Sequence, residues 1–172
     1  MLAARPPATG FLTTDAKIDG MRISAKADYA VRAALELAAS PEGEPVKGEQ
    51  LADSQDIPLQ FLEHILLELK HARLIQARRG AKGGYWLARD PASITVADVI
   101  RAVEGPLANI HENAPEDIEY RGNSEHLQQV WIAVRASLRT VLEEVTLADL
   151  VSGELPSVVG ELTSAPDAWV AR

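Results

Sequence analysis

The chain has 172 residues, 47% of them hydrophobic, no cysteine and a formal net charge of −8. This composition is typical of one or two small globular domains. The lack of cysteine excludes disulfides, thiolate metal sites and redox thiols. No apolar stretch approaches the length of a membrane span, and we expect a cytoplasmic protein without a membrane partner.

Charge is distributed unevenly along the chain. Residues 21–90 are neutral overall, whereas residues 91–172 carry the whole net charge of −8. Between Lys70 and Arg89, however, there are six basic side chains and no acid. Such a cationic segment in an acidic protein indicates contact with a polyanion, and the acidic half would then point away from the phosphates.

The first twenty residues form a predicted flexible leader. Pro6 and Pro7 oppose a helix, and no apolar core marks a secretion signal. A much stronger pattern begins at Met21, so either translation begins there or the leader is a disordered arm.

Residues 21–105 have the element order of a winged helix-turn-helix domain. A helix is predicted from the N-cap Ser24 to about Ala39, then a short helix over roughly 47–54. A third helix begins at Pro58 and ends near residue 72. Its inward face is predicted to carry Leu59, Leu62, Ile65, Leu66 and Leu69.

A small β-hairpin follows this third helix. Residues 74–77 and 85–87 read as its strands, joined by a basic, glycine-rich turn that resembles a wing. No helix follows the turn, so it is not a nucleotide-binding loop. Thr95 then caps a helix from Val96 to Glu104, which Gly105 ends. The fold class is therefore mainly α with a small β-hairpin wing.

The C-terminal third is predicted to hold a dimerisation helix. An acidic loop spans 106–123, the long helix with a short following helix spans 124–152, and 153–172 is a tail expected to fray. Within the long helix, predicted from Ser124 to about residue 145, apolar residues recur every three or four positions, which is typical of a helix that packs on a partner helix. These are Leu127, Trp131, Val134, Leu138, Val141 and Val145.

Three groups of residues are predicted to contact DNA. The first turns of the third helix offer Pro58, Gln60, Phe61, Glu63 and His64 to base edges in a major groove. The wing offers Arg78, Arg79 and Lys82 to phosphates or a minor groove. The start of the first helix offers Arg22, Ser24, Lys26 and Tyr29 to phosphates, although Ser24 as a cap and Tyr29 as a core residue is the alternative.

Several segments in the right order resemble the Rrf-type bacterial transcription regulators, whose members include IscR, NsrR and CymR. They are MRISAK and DYAVR (21–26, 28–32), IPLQFLE (57–63), LIQARRG (74–80), KGGYWLAR (82–89), VIRAVEG (99–105) and TLADL (146–150). The resemblance implies a homodimeric winged-helix regulator, usually a repressor, whose long helix crosses to the partner chain.

The chain departs from the cluster-binding members of that family. They carry three cysteines in the loop before the long helix, and in histidine-ligated members a histidine precedes the tryptophan by three residues. Here that position is Gln128, so an iron–sulfur cluster held in that way is excluded and no cofactor is expected. The acidic loop offers scattered histidines and carboxylates without metal-ligand spacing, and we expect it to be solvated. They are His111, Glu112, Glu116, Asp117, Glu119 and His126.

The sequence therefore predicts a homodimeric repressor that binds a pseudo-palindromic operator in double-stranded DNA. It resembles the cysteine-free members of the family, so a small metabolite or a protein partner is expected to control it. The alternative is a protein-interaction module of the same fold that docks a metabolic enzyme, with DNA binding lost or subordinate. No nucleophile–base pair, phosphate loop or metal motif indicates an enzyme.

Overall fold

The computed structural model describes residues 23–111 and 113–170, so the predicted leader, Arg22 and Glu112 lie outside the described residues. It contains seven α-helices and one two-stranded antiparallel hairpin in the described ranges, and the predicted mainly helical fold with a hairpin wing is confirmed. In chain order these are α1 (Ala25–Ala39), α2 (Gly48–Gln55), α3 (Leu59–His71), β1 (Ile75–Arg78), β2 (Gly84–Leu87), α4 (Val96–Glu104), α5 (Leu127–Leu142), α6 (Leu147–Ser152) and α7 (Ser157–Thr163).

Helix α1 is at the centre of the core. It packs against α2, α3, α4, α6 and β2, and its buried face consists mainly of alanines, which allow neighbouring helices to approach closely. Helix α3 fills the space with longer side chains: Leu62, Ile65, Leu66 and Leu69 have no exposed surface. Burial of each such side chain contributes about 1.5–3 kcal/mol to folding. The α3 surface opposite these residues is therefore held on a well-packed base.

Helices α4 and α6 begin side by side. Thr95 and Thr146 cap them, and each threonine hydroxyl accepts a bond from the backbone N–H three residues later, at 3.1 Å. Two backbone hydrogen bonds of 2.9 Å join the two starts, from Val96 N to Val145 O and from Leu147 N to Ile94 O. The chain thus returns to the core after α5, where Leu147 is completely buried.

The hairpin is fixed to the segment before α2. Ile75 pairs with Leu87 at one end of the ladder and Arg78 with Gly84 at the other. Val46 adds a bridge to Tyr85 through two backbone bonds of 2.9 and 2.8 Å. Gly84 permits this approach, because a Cβ there would lie 2.5 Å from Val46 O and its φ is +151°. The wing is therefore an anchored element.

Two features of α3 differ from the prediction. The helix begins at Leu59, and Pro58 is its N-cap, with its carbonyl accepting bonds from Phe61 and Leu62. Leu59 was predicted to face inward but is 37% exposed. It lies at the edge of the core beside Gly48, where a Cβ on that glycine would be 4.0 Å from Leu59 Cδ1.

Helix α5 is shorter than predicted at both ends. Residues 122–124 form a separate 3-10 turn, and the helix ends at Leu142 because Val145 leaves it to pair with Val96. Val145 was predicted to face a partner chain, but it is only 6% exposed and belongs to the chain's own core. Val145 therefore has little surface to offer a partner chain.

The predicted tail contains helix α7, which the sequence did not indicate. Gly153 ends α6 in the left-handed conformation, and Pro156 is the N-cap of α7, so these residues bound a helix instead of preventing one. The Trp169 indole N–H donates to Thr163 O at 2.7 Å, near the end of that helix.

Candidate nucleic-acid interface

The outer face of α3 presents polar and aromatic side chains to solvent. Gln60, Phe61, Glu63 and His64 are all exposed, on the two N-terminal turns, while Leu62 between them is buried. The connection from α2 is a tight turn, in which Ile57 N donates to Ala52 O at 2.9 Å. This arrangement of two helices and a tight turn leaves the start of α3 accessible to a major groove.

Phe61 is held from behind by a stack of side chains on α1. Its ring meets Tyr29 edge to face, with centroids 5.7 Å apart and planes at 80°. The Arg32 guanidinium lies 4.8 Å from the centroid of the Tyr29 ring, and Arg32 Nε lies 3.3 Å from Asp28 Oδ2. Tyr29 therefore supports the recognition helix from α1, in agreement with the alternative that it belongs to the core.

The wing carries exposed cations. Arg78, Arg79 and Lys82 are all exposed. Arg78 Nη2 donates to Lys82 O at 3.0 Å, which closes the turn. In the described part of the chain, the Arg79 and Lys82 side chains make no hydrogen bond or ion pair, so both charges face solvent and can reach phosphates.

A groove separates α3 from the wing and joins the two predicted contact groups. Its polar lining is mostly cationic, with Glu63 as the acidic member. Lys70 also lines the groove. It belongs to the cationic segment 70–89 but was not among the predicted DNA contacts. The lining comprises Glu63, Leu66, Leu67, Lys70, Ala77, Arg78, Arg79, Gly84 and Tyr85.

At the start of α1, Ser24 caps the helix, as in the alternative drawn from the sequence, and Lys26 has partners within the chain. Ser24 Oγ accepts from Ala27 N at 3.0 Å and donates to Glu104 at 2.6 Å. The Lys26 ammonium donates to Glu68 at 2.9 Å and to Val103 O at 2.7 Å. Both side chains therefore bind α1 to α3 and α4, and a role as phosphate ligands would compete with these partners.

Sequence reasoning missed Lys47, the N-cap of α2. Its ammonium donates to Gly80 O at the tip of the wing, 3.0 Å away and 33 positions along the chain. No local pattern marks this contact, because it depends on the bridge that brings residue 46 beside β2.

The loop before α5 is closed by side chains of that helix. Gln128 Nε2 lies 3.2, 3.2 and 3.0 Å from the carbonyl oxygens of Pro115, Glu116 and Ile118. Arg135 Nη1 lies 2.7 Å from Glu116 Oε2. This hydrogen bond, together with a backbone bond, lowers the pKa of the Glu116 carboxyl below its ordinary value.

These residues do not fit an iron–sulfur cluster. Cluster ligands are chiefly cysteine thiolates, and the chain has no cysteine. The nitrogen at Gln128 is an amide donor aimed at carbonyls, and the Glu116 carboxylate is bound by Arg135. No three histidine, aspartate or glutamate side chains form a metal-binding group in residues 23–111 and 113–170.

Helix α5 has an apolar surface that the other described residues do not bury. None of its sixteen residues is buried. Leu127, Trp131, Val134 and Val141 are half-buried, and Leu138 is 39% exposed. Val130 and Ile132 add exposed apolar surface at 52% and 38%.

No helix among the described residues is long and apolar enough to cross a membrane.

A helix-turn-helix with an exposed recognition face, beside a basic anchored wing, defines the winged-helix class of DNA-binding transcription regulators. The chain belongs to the Rrf2 family, whose model, described as "Iron-dependent Transcriptional regulator", matches residues 23–153. Members of this family are regulators and not enzymes.

Relatives and solved structures agree with this assignment. A Mycobacterium tuberculosis protein named as a candidate HTH-type transcriptional regulator is 49% identical over 142 residues, which cover 83% of this chain and 88% of the relative. Bacillus subtilis CymR is 33% identical over 77% of this chain and 91% of its own length. The structure of B. subtilis CymR, titled as the global cysteine regulator, matches with a TM-score of 0.65 at 31% identity and covers 77% of this chain and 98% of CymR. The structure of T. potens IscR matches with a TM-score of 0.62 at 31% identity, over 89% of this chain and 94% of IscR.

Proposed function

We propose that this regulator is a cytoplasmic homodimeric repressor that binds a pseudo-palindromic operator. The observation that carries the proposal is the groove between α3 and the wing, in which the recognition face and unpaired cations lie side by side. Each subunit would place the first turns of α3 in a major groove and its wing along the adjacent backbone.

Base recognition is assigned to the exposed face of α3. Gln60 can pair bidentately with adenine, Glu63 can accept from cytosine and His64 can donate to guanine. Phe61 would contact a thymine methyl with the edge that Tyr29 leaves uncovered. Glu63 in a cationic groove repels phosphate, so its presence supports a contact to a base and not to the backbone.

The dimer is assigned to the uncovered apolar surface of α5. Side chains at Leu127, Trp131, Val134, Leu138 and Val141 recur at heptad-like spacing, and a second copy of α5 would bury them. A two-fold dimer presents two α3 helices related by symmetry, which is why the operator is expected to be a pseudo-palindrome.

Control of this repressor is assigned to a small metabolite or a protein partner. The side chains of the acidic loop and of Gln128 do not suit an iron–sulfur cluster, and CymR, a relative of known structure, is described as a cysteine regulator. A sulfur metabolite that binds between the winged domain and α5 is therefore the effector to test first.

The decisive experiment is fluorescence anisotropy of the pure protein with the DNA upstream of its own gene, with a scrambled duplex as control. We expect specific binding at two subunits per site, with log affinity falling steeply as log salt rises. Equal, weak binding to both duplexes at all salt concentrations would contradict the proposal that the protein is a repressor of this operator.

The wing assignment has its own test in Arg79→Ala. Arg79 has no partner within the described residues, so the change should leave folding intact and weaken operator binding by about 1–3 kcal/mol. Arg73→Ala is the matched control, because Arg73 is exposed and does not line the groove. Unaltered operator affinity of the Arg79 variant would show that the wing does not contact the DNA.

A second function is favoured by the charge of residues 91–172, which is −8. This acidic half could dock a basic partner such as a metabolic enzyme, with DNA binding subordinate. A pull-down with the intact protein distinguishes the two proposals. Recovery of one stoichiometric partner, without operator binding by the pure protein, would favour the interaction module.

A further inference from the structure

Lys47 joins two elements that must act together at the interface. It is the N-cap of α2, and its backbone N–H donates to Gln50 Oε1 at 3.1 Å, which fixes its main chain. Its side chain runs to the wing, where the ammonium donates to Gly80 O at 3.0 Å. One residue thereby links the helix-turn-helix to the tip of the hairpin.

The acceptor carbonyl is part of the turn that carries the wing's cations. Gly80 O also accepts from Gly83 N at 2.9 Å, so both of its lone pairs are used. Arg79 precedes this carbonyl and Lys82 follows it by two positions. A bond to Gly80 O therefore fixes the backbone from which both cations project.

Lys47 itself is not part of the groove lining, which contains Lys70, Arg78 and Arg79. Its ammonium is directed at a carbonyl dipole, whereas Arg79 and Lys82 have no partner among the described residues. Arg79 and Lys82 therefore face solvent, whereas Lys47 holds the turn.

We infer that Lys47 is a positioning residue, which sets the height of the wing tip relative to α3 before DNA arrives. The inference rests on the proposed operator binding and adds a residue that acts through the wing. Preorganisation lowers the entropy lost when the turn is ordered on DNA, so it raises affinity without adding a phosphate contact.

The test is Lys47→Met, which keeps the length and volume of the stem and removes the donor. We expect operator binding to weaken about three- to tenfold, because the lost bond is charged but exposed. The slope of log affinity against log salt should stay unchanged. Exchange of the Gly83 amide, followed by NMR in the free protein, should become severalfold faster.

Lys82→Met is the matched control. Loss of a phosphate contact should lower the salt slope by about 0.9 and leave the Gly83 amide as protected as in the wild type. Lys47→Arg, which keeps a donor, should restore most of the affinity and protection that Lys47→Met loses.

Two results would overturn the inference. A salt slope lowered by about one unit in Lys47→Met, with normal Gly83 protection, would make Lys47 a direct phosphate contact. Unchanged affinity and protection would leave it no role at the interface. Absence of operator binding by the wild type would refute the proposed function instead, and Gly83 exchange would still decide whether Lys47 anchors the turn.

Discussion

At the scale of single residues, the proposed DNA interface is supported by contacts between distant parts of the chain. Gly84 lets β2 approach Val46, Lys47 reaches Gly80, and Tyr29 supports Phe61. The sequence revealed the exposed residues of α3 and the wing, because helical periodicity and charge are local signals. It could not reveal the supporting contacts, since each joins residues tens of positions apart.

Gly84→Ala tests the backbone approach. The new Cβ would lie 2.5 Å from Val46 O at a φ of +151°, so we expect loss of more than about 2 kcal/mol of unfolding free energy. Gly43→Ala is the control, since Gly43 also has a positive φ but open space around its Cβ, and should cost about 1 kcal/mol. Urea denaturation measures both, and equal losses would contradict a close contact at Gly84.

At the scale of elements, local signals defined some boundaries and long-range pairing defined others. The bounds of α4 were predicted correctly because Thr95 begins it through a capping box and Gly105 ends it. The ends of α5 were not predicted correctly. Its C-terminal end is set by the pairing of Val145 with Val96, and its N-terminal end by the loop whose carbonyls bind Gln128. Helix α7 was missed because Gly153 and Pro156 precede it and Gly160 lies within it, and residues of these types usually interrupt a helix.

Closure of the acidic loop should depend on pH. The pKa of Glu116 is lower in the folded protein than its ordinary value of 4.5, so its bond to Arg135 stabilises the closed loop above that pH. That stabilisation is lost as the pH falls through the lowered value. Hydrogen-exchange protection factors of residues 116–118 should therefore drop in acid. Glu116→Gln should remove this pH dependence, and a wild-type loop whose protection stays the same throughout an acid titration would contradict the assignment.

At the scale of the whole molecule, the described residues form a well-buried core, and the apolar side chains of α5 are left without such cover. The winged domain buries Leu51, Leu62, Leu66 and Leu69 completely, whereas no residue of α5 is buried. The heptad-like spacing indicated this from the sequence alone, except at Val145, which the chain uses for its own core. The domain boundaries drawn from the sequence remain predictions.

The proposed dimer predicts that thermal stability depends on protein concentration. Because pairing would bury α5, the melting temperature should rise as the concentration is increased. Leu138→Asp should abolish this rise and give a monomer in analytical ultracentrifugation, since a charge would enter the contact. Glu144→Gln, exposed just beyond α5, is the control. A monomeric wild type at micromolar concentration would refute the dimer.

The return of the chain to the core after α5 makes that helix a lever. Its C-terminal end is fixed to the start of α4 through residues 145–147, while its N-terminal end rests on the loop at residues 115–118. Sixteen residues make an arm of about 24 Å. A ligand that displaced the N-terminal end of α5 by roughly 2 Å would rotate the helix by about 5° about its C-terminal end, which is joined to the winged domain. In a two-fold dimer this rotation would change the distance between the two α3 helices. That distance would then no longer match the spacing of the operator half-sites, so a small movement at the loop would weaken DNA binding.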